Sequence, residues 1–157
     1  MTILGIDPGY DIVGWGLVKK DLALVDYGII KTSSKDNLEE RYLFIHQELD
    51  SIIKKYLPEK AALEKLFFTN NSKTAMSVAG AIGVIMLTLK LNNIPFKDYT
   101  PKQVKQAITG SGSACKEQMQ FMVSSILKQK KIKGPDDAAD ALAVALCHAL
   151  SNNYKAK

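Results

Sequence analysis

Two apolar runs open the chain, ILGI at 3–6 and IVGWGLV at 12–18, with the loop DPGYD between them. Together with the run that follows, they predict three strands at about 2–6, 13–19 and 23–32, joined as antiparallel hairpins. Glycines at 5, 14 and 16 suit strands with close neighbours or bulges. The period then changes. Over 36–57, apolar residues fall at 38, 42, 45, 49, 52, 53 and 56, which is helical spacing. Acids come early in this segment, Lys54 and Lys55 come late, and Pro58 stands just past its end, as the helix dipole and a helix stop both favour.

The run KAALEKLFF at 60–68 predicts a buried strand, and Glu64 lies within it. A long helix is expected over 72–92 with Ser72 as its cap, then a strand in IPFKDYT at 94–100. Pro101 occupies a favoured first position for the next helix, in PKQVKQAIT. GSGS at 110–113 breaks the chain before a helix over about 115–130, and a final helix runs from near Pro135 to about 152. The order is βββαβαβαα. A meander of three strands, with two more joined through helical crossovers, gives an α/β fold of the ribonuclease H-like kind: a mixed five-stranded sheet flanked by helices. Without an internal repeat or a linker, residues 1–157 read as a single domain.

Composition narrows the setting. The longest weakly polar stretch, 75–89, falls short of the roughly 20 residues a membrane helix needs. The N-terminus has no basic segment leading into an apolar one, and two cysteines, Cys115 and Cys147, make no disulfide framework. A reduced, cytoplasmic protein with no membrane partner is expected. The net charge is +5, but it is unevenly spread: Lys90 to Lys133 holds nine lysines and two acids, whereas the remainder has 12 basic and 14 acidic residues. This basic third suits nucleic acid as well as it suits a solvated lysine-rich surface.

Three acidic places stand out. Asp7 ends the first strand, Glu64 interrupts an apolar one, and Asp136, Asp137 and Asp140 open the last helix. Each has an ordinary reading: Asp-Pro-Gly is good turn chemistry, Glu64 suits an edge strand protected from aggregation, and acids near a helix start favour its dipole. Taken together they suggest a metal centre. Asp140 sits among alanines, where an unpaired carboxylate is costly, and either Asp136 or Asp137 can share its helix face. Such hard oxygen ligands suit Mg²⁺ or Mn²⁺, and two such ions about 4 Å apart suit phosphodiester hydrolysis. Zinc spacing, a Walker loop and a nucleophile elbow are all lacking in the sequence, and His46 and His148 read as packing or surface residues.

With LGIDPG at 4–9, ALEKLFF at 62–68, TPKQVKQAITGSGSACKEQMQFMV at 100–123 and DDAADALAVALCHA at 136–149, the chain resembles the bacterial Holliday-junction resolvases of the RuvC type. The resemblance implies four catalytic, metal-binding acids: Asp7, Glu64, Asp137 and Asp140, with Asp136 the neighbour most easily confused with the third. It implies a homodimer that binds a four-way DNA junction and nicks two strands of like polarity with Mg²⁺ or Mn²⁺, two ions per site. It also suggests a branch-migration motor as partner. Lys105 and Lys116 match lysines that approach the cleaved strand, Lys102 is a further helper, and Phe67 matches an aromatic that stacks on a base near the crossover. Cys115 and Ile82 depart from the residues common at those positions in the family. Ala75, Ala79 and Gly83 recur every four residues, as in a close helix contact across a dimer or in plain core packing. Two rival readings are a nuclease of the ribonuclease H kind acting on RNA or hybrids, and a junction-binding scaffold without chemistry.

Overall fold

The structure is a computed structural model that describes residues 1–66 and 72–151. The elements run β1 (Thr2–Asp7), β2 (Ile12–Lys19), β3 (Leu24–Lys31), α1 (Leu38–Tyr56), β4 (Lys60–Glu64), α2 (Ser72–Leu91), β5 (Phe96–Tyr99), α3 (Pro101–Thr109), α4 (Lys116–Ile126) and α5 (Asp136–Ser151). The five strands form one mixed sheet in the order β3-β2-β1-β4-β5. β1 pairs antiparallel with β2 and parallel with β4, β4 pairs parallel with β5, and β2 pairs antiparallel with β3.

Alternation along the strands sorts residues onto two faces. On β1, Leu4 and Ile6 join a core with Ile45, Leu49 and Ile53 of α1 and Ala81, Ile85 and Leu89 of α2. Ile3 faces the other way, into a core built with α3, α4 and α5, where Ala62 of β4 joins it. Gly5 and Asp7 fall on that second face with Ile3, and Glu64 falls on it with Ala62. The same period that buries the apolar residues therefore places both strand acids on the side of α5.

Glycine sets how closely α5 approaches. A β-carbon on Gly5 would stand 2.1 Å from the carbonyl oxygen of Ala141, and one on Gly16 would stand 2.7 Å from the Leu142 side chain. No substitution fits while α5 keeps that position, so these strand glycines are seats for a helix rather than bulges. The alanine-rich sequence of α5 is the matching half of this contact; Ala138, Ala141, Ala143, Ala145 and Ala149 are all buried.

Local chemistry accounts for the element ends. Asn37 caps α1, its Oδ1 accepting from the Glu40 amide at 2.9 Å, and Leu57 ends it in the left-handed region. Thr100 and Gln103 form a reciprocal capping box at the start of α3, with Pro101 at its first position. Gly110 closes α3 at φ 77°. Three expectations need correction. The helix expected over 115–130 stops at Ile126, because Lys128 turns left-handed and the Gln129 amide donates back to the Ser124 carbonyl. The strand expected over 60–68 ends at Glu64, with 67–71 outside the described residues; the proposed Ser72 cap is likewise outside what is described of side chains. The third concerns α2. Its window Thr74–Leu91 is long and apolar enough to cross a membrane by length and composition. One side of it packs into the core through Ala81, Ile85 and Leu89, while most of the window stays uncovered in the single chain.

Candidate active site

Asp7 and Glu64 are the last residues of the adjacent parallel strands β1 and β4, so both carboxylates emerge at the same edge of the sheet. β4 lies inside the sheet between β1 and β5, which overturns the edge-strand reading of Glu64. The start of α5 brings the other acids to this edge. Gly14 is the β2 partner of Asp7, and a β-carbon there would stand 2.0 Å from the Asp137 carbonyl oxygen. Asp140, one turn later, lines a cavity of about 220 Å³ with Glu64, Lys105, Lys116, Pro101, Val104, Met119 and Ala143.

The electrostatics are those of acids crowded away from water. Burial pushes the Asp7 carboxyl from its ordinary 3.8 up to about 8, and the charges of Glu64, Asp140 and Asp137 and a hydrogen bond with Glu64 add to the effect. Glu64 is also raised by burial and by Asp140, while the Asp7 hydrogen bond and the positive charge of Lys105 pull it down. Asp7 and Glu64 therefore titrate as a pair rather than singly. Asp140 is raised by burial; Lys116 opposes this, and Asp136 and Asp137 reinforce it.

Clustered carboxylates of this kind are hard oxygen donors that Lys105 and Lys116 offset only in part, and a divalent cation supplies the further positive charge. Among the described residues, no three His, Cys, Asp or Glu side chains stand at the spacing of a closed metal cage. Mg²⁺ does not require one, since it usually takes one or two carboxylates and fills its shell with water and substrate phosphate. The donor chemistry suits such an ion, and the acids that crowd this site are Asp7, Glu64, Asp137 and Asp140.

The four predicted acids and two of the predicted lysines come together here; the third predicted lysine does not. Lys102 lies apart, in a separate cavity of about 520 Å³ with Lys97, Tyr99, Gln103 and Cys147, its stem packed beneath Gly112. Phe67 lies outside the described residues. His148 is buried and bonded through Nδ1 to the Tyr99 hydroxyl at 2.8 Å, while His46 Nδ1 meets the Thr88 hydroxyl at 2.8 Å. Both serve packing, as the sequence suggested. Cys115 is exposed just before α4, its amide donating to Gln118 Oε1, and Ile82 is half-buried on α2.

Two features of the site went unseen in the sequence. The turn after Asp7 is clamped by Arg41, the chain's single arginine. Its Nε donates to the Thr32 hydroxyl at 2.9 Å, its fork pairs with Asp11, and the guanidinium lies 4.9 Å over the Tyr10 ring. Thr32 in turn donates to the Tyr10 carbonyl at 2.7 Å. Lysine lacks this planar fork, which explains one arginine in a lysine-rich chain. The second is the pairing of Asp136. It is exposed and bound to Lys116, which separates it from Asp137.

Comparison with known proteins agrees with this geometry. The family described as crossover junction endodeoxyribonuclease RuvC matches residues 3–148. The crossover junction endodeoxyribonuclease RuvC of Petrotoga mobilis is 50% identical over 151 residues, covering 94% of this chain and 93% of its own. That of Caldicellulosiruptor saccharolyticus is 49% identical over 157 residues, covering 98% and 95%. Thermus thermophilus RuvC, solved in complex with a Holliday junction substrate, superposes with a TM-score of 0.93 at 34% identity, covering 99% of this chain and 96% of its own. The yeast mitochondrial Holliday junction resolvase Ydc2, 13% identical with a TM-score of 0.66, shares the fold. The chain belongs to the RuvC family of crossover junction endodeoxyribonucleases.

Proposed function

We infer that this protein, acting as one nuclease domain over 1–157, resolves four-way DNA junctions by divalent-metal-dependent hydrolysis of phosphodiester bonds. The observation that carries this reading is the meeting of Asp7 with Glu64 and Asp140, all raised by burial, beside a cavity that Glu64 and Asp140 share with Lys105 and Lys116. A surface acid cluster made for solubility would not be buried, and a merely structural one would be paired inside the fold, whereas Lys116 stands half in solvent with Asp136 as its ion-pair partner.

Asp7, Glu64, Asp137 and Asp140 would hold two Mg²⁺ ions, which Mn²⁺ could replace. When bound, such ions supply an activated water and charge stabilisation for the departing oxygen. The remaining steps belong to the protein. Lys105 and Lys116 bind the phosphate flanking the acids and fix its register, and the basic third extends that grip along α3 and α4. Phe67 stacks on an unpaired base near the crossover, three residues past Glu64, while Lys102 serves DNA at a distance from the chemistry.

Two symmetric cuts require two sites related by a two-fold axis, so the active species is a homodimer. Its interface is the outer face of α2. Met76 (82% exposed), Met86, Leu87 and Leu91 stand in solvent, and Ala79 and Gly83 of the small-residue stripe lie exposed among them. Core packing therefore does not explain the stripe, and an apolar face of this kind on a long helix is typical of an interaction site. A branch-migration motor as partner belongs to the same proposal and rests on family membership.

Nicking of a synthetic four-way junction, against a linear duplex of the same sequence, tests the reading. Paired, ligatable nicks in the junction alone are expected, abolished by chelator and by Asp7→Asn. Tight binding without nicks in Mg²⁺ or Mn²⁺ would leave a scaffold, and preference for an RNA–DNA hybrid would leave a ribonuclease.

A further inference from the structure

Asp136 has no part in the metal site just described, yet both its carboxylate oxygens are engaged by α4. Lys116 Nζ lies 2.6 Å from Oδ2, and Gln120 Nε2 donates to Oδ1 at 2.7 Å. Lys116 and Gln120 are one turn apart, so a single face of α4 grips one carboxylate with two donors. The roughly 100° step between successive helical residues accounts for the difference from Asp137. The Asp137 backbone lies against Gly14 of the sheet, and Asp136 is turned away toward α4.

Lys116 needs such a partner. It opens α4 at the mouth of the cavity that also contains Glu64, Lys105 and Asp140, and Asp140 and Asp137 attract it as well. A flexible ammonium with only those two acids to meet would settle inward, fill the acid cluster and compete with the cation. Asp136 gives it an outer partner instead. An ammonium carries three N–H donors, so one spent on Asp136 leaves two for a phosphate oxygen. A pre-ordered stem also meets that phosphate with less entropy left to lose.

Building on the nuclease reading above, we propose that Asp136, with Gln120 beside it, is a positioning residue that holds the Lys116 ammonium at the rim of the acid cluster, facing the scissile phosphate. Its signature is a split of opposite sign. Asp136 is a negative charge beside bound DNA, so removing it leaves junction affinity unchanged or tighter, while the chemical step slows because Lys116 is no longer placed. A plain surface acid behaves differently: removing it would tighten binding and speed nicking together. An acid needed for folding would lose stability, affinity and rate in parallel.

The experiment compares wild type, Asp136→Ala, Lys116→Ala and the double variant. Single-turnover nicking of a four-way junction is measured in Mg²⁺, junction affinity by fluorescence anisotropy in chelator, and Tm by thermal unfolding. Asp136→Ala is expected to slow nicking about tenfold, the scale of one charge-assisted hydrogen bond. Affinity should be equal or up to about threefold tighter, and Tm nearly unchanged, as for an exposed ion pair. The double variant should be no slower than Lys116→Ala alone. Nicking at or above the wild-type rate in Asp136→Ala, losses that multiply in the double variant, or rate and Tm falling together would each overturn the inference while leaving the nuclease reading in place. Wild-type protein that binds the junction without nicking it overturns the nuclease reading, and this inference with it.

Discussion

Gly14 lies directly beneath Asp137, so close that a β-carbon on it would stand 2.0 Å from the Asp137 carbonyl oxygen. Gly14 is also the cross-strand partner of Asp7. One absent side chain therefore lets the acid-bearing strand and the acid-bearing helix close on each other. Gly14→Ala collides with backbone, which cannot swing aside as a flexible side chain can. Overpacking of this kind costs about 1–3 kcal/mol or more. A fall in Tm of about 5 °C or more is expected, with nicking reduced further than stability alone explains, because the start of α5 moves off the β1 edge. Thermal unfolding and junction nicking on the same preparation check both, and a variant with wild-type Tm and rate would show that α5 is not seated on this glycine.

Much of this arrangement was legible along the chain, and the parts that were not share a cause. Period-2 alternation places Asp7 with Ile3, and Glu64 with Ala62, on the face that receives α5, so the apolar pattern itself locates the acids. Glycines 5, 14 and 16 announce a close neighbour without saying that it is α5. Spacing could not divide Asp136 from Asp137, since one is four residues and the other three from Asp140, and both spacings share a helix face. Their separation depends on Lys116 and Gln120 of another helix. The edge-strand reading of Glu64 failed because parallel pairing of β4 with β1 and β5 is non-local, and nothing near residue 64 reports it. The Arg41 clamp was hidden for the same reason: its contacts come from residues 10, 11 and 32.

That clamp yields a prediction of its own. Arg41→Lys keeps the charge but loses the fork that binds Thr32 and Asp11 together. The loss of a charge-assisted bond to buried Thr32 is expected to cost about 1.5–3 kcal/mol. The turn after Asp7 should loosen, and nicking should fall about tenfold. A drop in Tm with an unaltered nicking rate would mean that the clamp serves the fold alone.

The raised carboxyl of Asp7 sets a pH dependence that is opposite in sign to ordinary acid denaturation. Its value is about 8 in the folded protein against an ordinary 3.8, so between those limits the folded chain binds a proton that the unfolded chain has released. Stability from this group is complete below the lower value and is lost as pH rises through the upper one. In chelator, Tm should therefore decline as pH rises toward about 8, and Asp7→Asn should raise Tm at high pH and flatten the decline. Added Mg²⁺ should restore wild-type Tm at alkaline pH and leave Asp7→Asn much less affected. A wild-type profile in chelator that climbs with pH would contradict the crowding of acids at this site.

Lys105 and Lys116 line one cavity with Glu64 and Asp140, whereas Lys102 lines another. Lys105→Ala and Lys116→Ala should each lower nicking strongly and reduce the salt slope of junction binding by about 1, as the loss of one phosphate contact does. Lys102→Ala should weaken binding with little effect on the chemical step. Measuring log affinity against log salt for the three variants separates these outcomes; equal losses of Tm and activity at Lys105 or Lys116 would count against a direct DNA role.

Gly83 offers the cleanest test of the dimer, because a β-carbon added there meets nothing within 4 Å. In the isolated chain, Gly83→Glu replaces a poor helix former by a good one and should be neutral or stabilising by up to about 1 kcal/mol. Across a two-fold axis the same change buries two like charges where α2 meets its copy, and burial of an unpaired carboxylate is strongly unfavourable. Sedimentation should show a folded monomer in place of a dimer. Nicking should then lose its pairing, with singly nicked junctions accumulating before the second strand is cut. If Gly83→Glu sediments as the wild type does and still makes paired nicks, the α2 face is not the interface, and the two cuts are coordinated through some other surface.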